Sequence, residues 1–283
     1  MVDNGYNRNR RRPTRLLGAL VAGIAGGSLA VACTANTVTH AGPNDDAPRP
    51  TIVLEHGAFA DGSSWNDVIE KLREDRYPVV AAANPLRGPA NDAAALRSLI
   101  SHIDGPVILV GHSYGGSVIS AAAAGNDKVK GLVYVAAFLP APGETALELT
   151  NRYPGTTLPG TLNPVPFTAV DGSVGTDLYI HQDKFRAQFA ADVPEDRAAL
   201  MAATQRPIAQ SALEEKATVA AWNEKPSWVI ATTKDLNIPV EAQRFMADRA
   251  HAKVTEVDAS HSVAVSHPDV VADVIEQAAA ATH

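Results

Sequence analysis

Pro106-Val107-Ile108-Leu109-Val110-Gly111-His112-Ser113-Tyr114-Gly115-Gly116 is the stretch from which the rest of the chain can be read. Its four consecutive aliphatic residues suit a strand buried on both faces, as in a parallel sheet. A G-x-S-x-G motif follows at once, and after it comes an Ala-rich helical stretch, Ser117–Ala124. Strand, sharp turn and helix in this order are the context a nucleophile elbow requires. The turn is tight enough to demand small residues beside the serine, and Gly111 and Gly115 supply them. Such a turn lifts the Ser113 hydroxyl above the sheet. It also aims the positive end of the following helix at the same point, which favours a developing anion.

Outward from the elbow, apolar runs alternate with helical patterns. The predicted strands are Thr51–Leu54, Val79–Ala83, Val107–Val110, Leu132–Ala137, Trp228–Ala231 and Val254–Val257. The predicted helices are Trp65–Glu74, Asp92–His102, Ser117–Ala124, Glu241–Ala250 and Asp269–Ala280, with Asn91 as an N-cap and Pro268 in a first turn. The alternation implies an α/β fold: a mostly parallel sheet of about six strands with helices on both faces. Residues 140–222 break the rhythm, with many prolines and no long strand run; Phe185–Ala191 and Glu195–Thr204 read as helices there. This segment is expected to be a small cap over the carboxyl ends of the strands, where open parallel sheets bind ligands.

A serine nucleophile needs a base, an acid that orients it, and donors for the oxyanion. The elbow's chain order is serine, acid, histidine. His261, in the loop Asp258-Ala259-Ser260-His261 after the last predicted strand, is the candidate base. His267 adjoins Pro268 and opens the final helix, and His112 is turned away by its place next to Ser113. Asp235, after the strand Ser227–Thr233, is the candidate acid. Asp258 is a lesser rival, because it belongs with its strand, and the loop after Ala137 offers no carboxylate before Glu144. The oxyanion donors are expected to be the backbone N–H groups of Tyr114 and Ala58, with Phe59 as second choice for the latter; Gly57 would permit close approach of backbone to ligand. Phe167, Tyr179, Phe185, Phe189 and Trp222 are candidates to line an apolar pocket, or else to pack the core.

Composition narrows the class. Hydrophobic residues make up 46% and charged residues 19% of the 283, which suits a protein with a sizeable core. The first residues differ: the basic block Asn7–Arg12 precedes an uncharged, Gly- and Ala-rich run, Leu16–Ala32. Basic, then apolar, then small is the order of an export signal, with Ala30-Val31-Ala32 as a cleavage site. Leu29-Ala30-Val31-Ala32-Cys33 is similar to a bacterial lipobox, which would make Cys33 a lipid-carrying residue. The expected organisation is therefore a leader over 1–32, a Pro-containing linker over 33–50 and a domain over 51–283. The product would be exported from a bacterial cytoplasm, either released or membrane-anchored. An uncleaved anchor or a mis-assigned start is the alternative.

Cys33 is the only cysteine, so no intramolecular disulfide can form. Without residues 1–32, which hold five Arg and one Asp, nineteen basic and thirty acidic residues remain, a net charge of −11. That balance argues against a nucleic-acid partner. The histidines show no H-E-x-x-H or paired spacing, so no metal or other cofactor is expected.

Four segments together carry a family resemblance: His56–Trp65, Gly111–Gly116, Lys130–Phe138 and Asp258–Ser262. Over residues 51–280 the chain resembles the α/β-hydrolase superfamily, in particular the branch of bacterial carboxylesterases, plant methylesterases and hydroxynitrile lyases. The resemblance implies a cofactor-free serine hydrolase that cleaves small-molecule carboxylic esters through Ser113, His261 and Asp235 by way of an acyl-enzyme. Lyases of this branch carry Thr where this chain has Gly57 and Lys where it has Ser262, and both differences favour an esterase. A cofactor-free haloperoxidase or perhydrolase shares the same triad. A catalytically silent binding member of the fold would lack one of the three residues.

Overall fold

Strand β1 (Thr51–Glu55) lies inside the sheet, not at its edge, and this sets the position of everything that follows. The structure is a computed structural model that describes residues 49–282, so the leader, Cys33 and nearly all of the linker lie outside the described residues. From β1 the chain crosses through α1 (Asn66–Glu74) to β2 (Val79–Ala82) at one edge. It then returns through α2 (Pro89–Ser101) to β3 (Val107–His112) on the other side of β1. Helix α3 (Gly115–Ala123) leads to β4 (Val129–Val135).

The cap follows. It contains α4 (Ala146–Thr150), the hairpin β5 (Leu162–Thr168) and β6 (Val174–Ile180), α5 (Gln182–Phe189), α6 (Glu195–Thr204), β7 (Ile208–Ala209) and α7 (Gln210–Glu214). The body resumes with β8 (Ser227–Thr232), α8 (Val240–Arg249) and β9 (Lys253–Val257), and closes with α9 (Val263–Ser266) and α10 (Pro268–Ala281).

The main sheet has six parallel strands in the order β2-β1-β3-β4-β8-β9. Side chains of its central strands alternate between two cores, as the two-residue period of a strand requires. Ile52, Leu54, Ile108 and Val110 face the core shared with α1 and α10, while Val53, Val107 and Leu109 face the one shared with α2, α3 and α8. This explains why these strands read as unbroken apolar runs. The chain turns in opposite directions after β1 and after β3, so the crevice beyond their carboxyl ends is the topological switch point where α/β sheets bind ligands.

Two expectations need correction. Helix α2 starts at Pro89, not after Asn91: Pro89 stands in its first turn, Gly88 precedes it without a side chain to cap it, and the first-turn N–H of Ala90 is taken by the Glu215 carboxylate at 2.9 Å. Proline suits that position because its missing N–H would have had no helical partner. The cap, for its part, holds an antiparallel sheet of three strands, β5-β6-β7, where no long strand was expected. Pro164 and Pro166 obscured it. They lie two residues apart on an edge strand, so both point their missing donors away from β6. Among the described residues no helix is long and apolar enough to cross a membrane.

Candidate active site

Four loops leave the carboxyl ends of β1, β3, β8 and β9 and meet at the switch point. The loop after β3 is the elbow. Ser113 adopts a left-handed backbone conformation, φ +54°, which costs a residue other than glycine roughly 1–3 kcal/mol. Packing holds it there. A Cβ on Gly111 would lie 2.7 Å from the Gly115 backbone, and one on Gly115 would lie 2.5 Å from the Glu55 carbonyl oxygen. The Ser113 carbonyl accepts from the N–H groups of Gly116 (3.0 Å) and Phe138 (3.1 Å).

Above the elbow, the Ser113 hydroxyl donates to His261 Nε2 at 2.8 Å, and His261 Nδ1 donates to Asp235 Oδ2 at 2.7 Å. All three residues are buried. The Asp235 carboxylate is fully engaged. Its Oδ1 accepts from the N–H groups of Asn237 (2.8 Å) and Ile238 (3.0 Å), and its Oδ2 also accepts from Thr232 Oγ1 (3.0 Å) and Gln243 Nε2 (3.1 Å). A buried carboxylate requires such partners, because an unpaired one forfeits its hydration with nothing in return. Asp258, by contrast, lies past the end of β9, exposed and paired with Lys234 at 2.7 Å. Glu144 is tied to Arg249.

Ala58 and Tyr114 both line the pocket beside Ser113. Nothing among the described residues accepts a hydrogen bond from either N–H. The N–H of Phe59 is committed to the Arg206 carbonyl at 3.0 Å, which removes the second-choice donor. Two anchors aim the remaining pair. His56 Nε2 accepts from the Asn84 N–H (3.2 Å), so Nδ1 carries the proton and donates to the Gly57 carbonyl (2.9 Å). That carbonyl and the Ala58 N–H share one peptide plane and point opposite ways, so holding one directs the other. Burial keeps the His56 pKa below its ordinary value and favours this neutral form. Tyr114 is held by its phenol, which donates to the buried Asp92 carboxylate at 2.7 Å. Gly57 has a use beyond ligand approach: a Cβ there would lie 2.6 Å from Ser113 Cβ, so the oxyanion loop can rest on the elbow only if residue 57 is glycine.

His112 is turned from Ser113 as expected, but it reaches the site by another route. Its Nε2 donates to the His261 carbonyl at 2.9 Å. Burial, then the neighbouring His261, pushes its pKa down to about 3, so it stays neutral beside the imidazole. His56, Asp92 and His112 are the residues that sequence reasoning missed as parts of the site. Adjacency to the two motifs hinted at a role for His56 and His112, and nothing in the sequence did so for Asp92, which lies in α2.

The pocket over Ser113 is small, with a cavity volume of about 70 Å³. Phe59, Tyr114 and Phe138 line it together with Leu147, Leu158, Leu162, Leu213 and Ile238. The cap aromatics singled out from the sequence are elsewhere. Phe185, Phe189 and Trp222 pack in the core, Phe167 lies under Arg87, and Tyr179 lines a separate outer groove. No group of His, Cys, Asp and Glu among the described residues is arranged to hold a metal ion.

With fold and geometry in view, comparison with known proteins is decisive at the level of family. Residues 52–274 match the family model of the alpha/beta hydrolase family. The chain belongs to that family. This α/β hydrolase is 27% identical over 254 residues to an alpha/beta hydrolase of Aspergillus novofumigatus, covering 82% of this chain and 97% of the relative. It is 28% identical over 249 residues to a pyrethroid hydrolase of Sphingobium wenxiniae, covering 79% and 85%. Among solved structures, polyneuridine aldehyde esterase superposes with a TM-score of 0.71 at 18% identity, covering 81% of this chain and 98% of that one.

Proposed function

We propose that this protein is a serine hydrolase that cleaves carboxylic esters of small molecules without a cofactor. The observation that carries the reading is the unbroken relay from Ser113 through His261 to Asp235, at 2.8 and 2.7 Å, beside two uncommitted backbone N–H groups. His261 takes the Ser113 proton as Oγ attacks the ester carbonyl, and the N–H groups of Ala58 and Tyr114 hold the oxygen that becomes negative. The tetrahedral intermediate collapses, the C–O bond to the alcohol breaks, and His261 returns the proton to the departing oxygen. Water then attacks the acyl-enzyme with His261 as base, which releases the acid and restores Ser113. Asp235 stabilises the imidazolium formed at each stage.

Two further features favour this chemistry. The pyrethroid hydrolase relative is named for hydrolysis, and the pocket over Ser113 is walled mainly by aliphatic and aromatic side chains, as an uncharged ester requires. The lyase reading is disfavoured by the absence of room for a threonine at Gly57, and by Ser262, whose hydroxyl is spent on the Phe189 carbonyl. The test is Ser113→Ala. Wild type is expected to turn over p-nitrophenyl esters and to take a fluorophosphonate label, and the variant, folded by circular dichroism, to do neither, with kcat lower by about 10⁴-fold or more. Full turnover by the folded variant would overturn the assignment.

A further inference from the structure

Asp192 lies in the cap, between α5 and α6, yet its carboxylate is bonded to the residue just before His261. It accepts from the Ser260 N–H at 3.0 Å and from the Ser260 hydroxyl. On the other side of the histidine, the Ser262 hydroxyl donates to the carbonyl of Phe189, the last residue of α5, at 2.8 Å. The Phe189 ring also meets the imidazole edge to face, with centroids 4.9 Å apart. The body holds the same loop from below, through His112 on the His261 carbonyl and through the Lys234 N–H on the Ala259 carbonyl (3.1 Å). Imidazole orientation is thus fixed jointly by the sheet and by the cap.

We propose that Asp192 is a positioning residue for His261, a latch by which the seating of the cap sets the geometry of proton transfer. The proposal rests on the serine hydrolase reading above. Three facts separate such a latch from a simple fastener of the cap. The cap is tied to the body independently by Arg197 to Asp67 (2.6 Å), by Arg87 to Asp177 (2.6 Å) and by Gln188 Nε2 to the Leu236 carbonyl (2.8 Å). None of these touches the histidine loop. Moreover, Asp192 is ionised: burial opposes its charge, but hydrogen bonds from Ser260 outweigh that and hold its pKa below the ordinary value. Charge-assisted bonds of this kind are the stronger and more directional ones. Finally, a small misplacement of a proton-transfer group is expensive in rate even when the substrate still binds.

The experiment compares wild type with Asp192→Ala, Asp192→Asn and Ser260→Ala, reading kcat and KM on a short p-nitrophenyl ester, the rate of fluorophosphonate labelling at Ser113, and Tm. For Asp192→Ala we expect kcat and the labelling rate to fall about tenfold or more, with KM changed by less than about threefold. Asp192→Asn should recover part of the loss, since its amide oxygen can still accept from the Ser260 N–H. The double variant Asp192→Ala/Ser260→Ala should be little slower than Asp192→Ala, because both remove the same link. Should Asp192→Ala fail to fold, Asp192→Asn and Ser260→Ala carry the same test, each with a lowered kcat at near-wild-type KM. An unchanged kcat, or a raised KM alone, would show Asp192 to be a fastener and overturn the proposal. A wild-type protein inert to both ester and probe would instead overturn the hydrolase reading, so the two failures are distinguishable.

Discussion

At the elbow, neither Gly111 nor Gly115 can accept a single methyl group without meeting backbone closer than 3.0 Å. In the cap hairpin, two of the seven residues of the edge strand are prolines, and Val165, Val170 and Val174 lie exposed. Leu162, the first residue of that strand, lines the same cavity as Ser113, yet the elbow is specified atom by atom and the hairpin is loosely constrained. The difference follows from what each does. The elbow must fix an oxygen, an imidazole and two N–H groups to fractions of an ångström, and the buried parallel sheet gives it a rigid base. The cap has only to present an apolar wall, so Leu147, Leu158, Leu162 and Leu213 can serve from short helices and a strand edge. Asp192 and Phe189 are the exceptions, cap residues drawn into the tighter regime because they touch the histidine loop.

This contrast can be broken from the body side. Gly57→Ala adds one methyl 2.6 Å from Ser113 Cβ, so the oxyanion loop must lift off the elbow. We expect kcat to fall about 10²–10³-fold, the loss associated with one oxyanion donor, with KM little changed. Steady-state kinetics on a short ester would read this, and a variant with wild-type kcat would mean that the close approach is not needed.

A second test probes how the body tolerates charge. Glu55, at the end of β1 and 1% exposed, has one carboxyl oxygen without a partner. Burial, helped by the Asp92 charge, pushes its pKa up to about 8. The group stays protonated in the folded protein while the unfolded chain releases its proton near the ordinary 4.5. The native state therefore binds more protons between these values, and stability falls as pH rises from about 4.5 to about 8, by about 1 kcal/mol per pH unit. Urea unfolding at pH 5, 6.5 and 8 should show this slope in wild type and a shallower one in Glu55→Gln. Equal slopes would place the ionised carboxylate in a better environment than its burial suggests.

The smallest effect is expected in the cap. Leu213→Ala enlarges the pocket without touching the relay. Turnover of an acetyl ester should stay within about threefold, while kcat/KM for longer acyl chains rises several-fold, the scale set by a few methylenes in an apolar pocket. A large loss on the acetyl ester would show that the cap wall also positions the reacting groups, and the contrast between the two regions would be weaker.

The regions differed equally in how far they could be read from sequence. The central strands β1, β3, β4 and β8 were legible because burial on both faces leaves each a largely apolar run, whereas the edge strands β2 and β9 are partly exposed and β9 interleaves Lys253, Thr255 and Glu256 with its valines. Ser113, Asp235 and His261 could be singled out because each lies in a loop just after a strand, and His261 is within hydrogen-bond distance of the other two. The hairpin was obscured by Pro164 and Pro166, although Asp171-Gly172 between alternating apolar residues was a turn signal that could have found it. For the cap aromatics the sequence left pocket wall and core packing open, because spacing along a helix does not say which neighbour covers a side chain; Phe185, Phe189 and Trp222 pack the core. His112 and Asp192 act through backbone groups brought to them by folding, and His56, although it acts on its neighbour Gly57, is oriented by the distant Asn84, so their roles could not be read locally.

Local sequence determined where the chain is buried, where it turns and which side chains could exchange protons. These depend on neighbours a few residues away, through strand periodicity, the steric demand of a tight turn and the polarity of a loop. Tertiary structure alone decided what orients those side chains and what walls their pocket. The partners of His261 come from β3, from the loop after β8 and from the cap, and only the packed fold brings such distant groups within 3 Å of one ring and its flanking backbone.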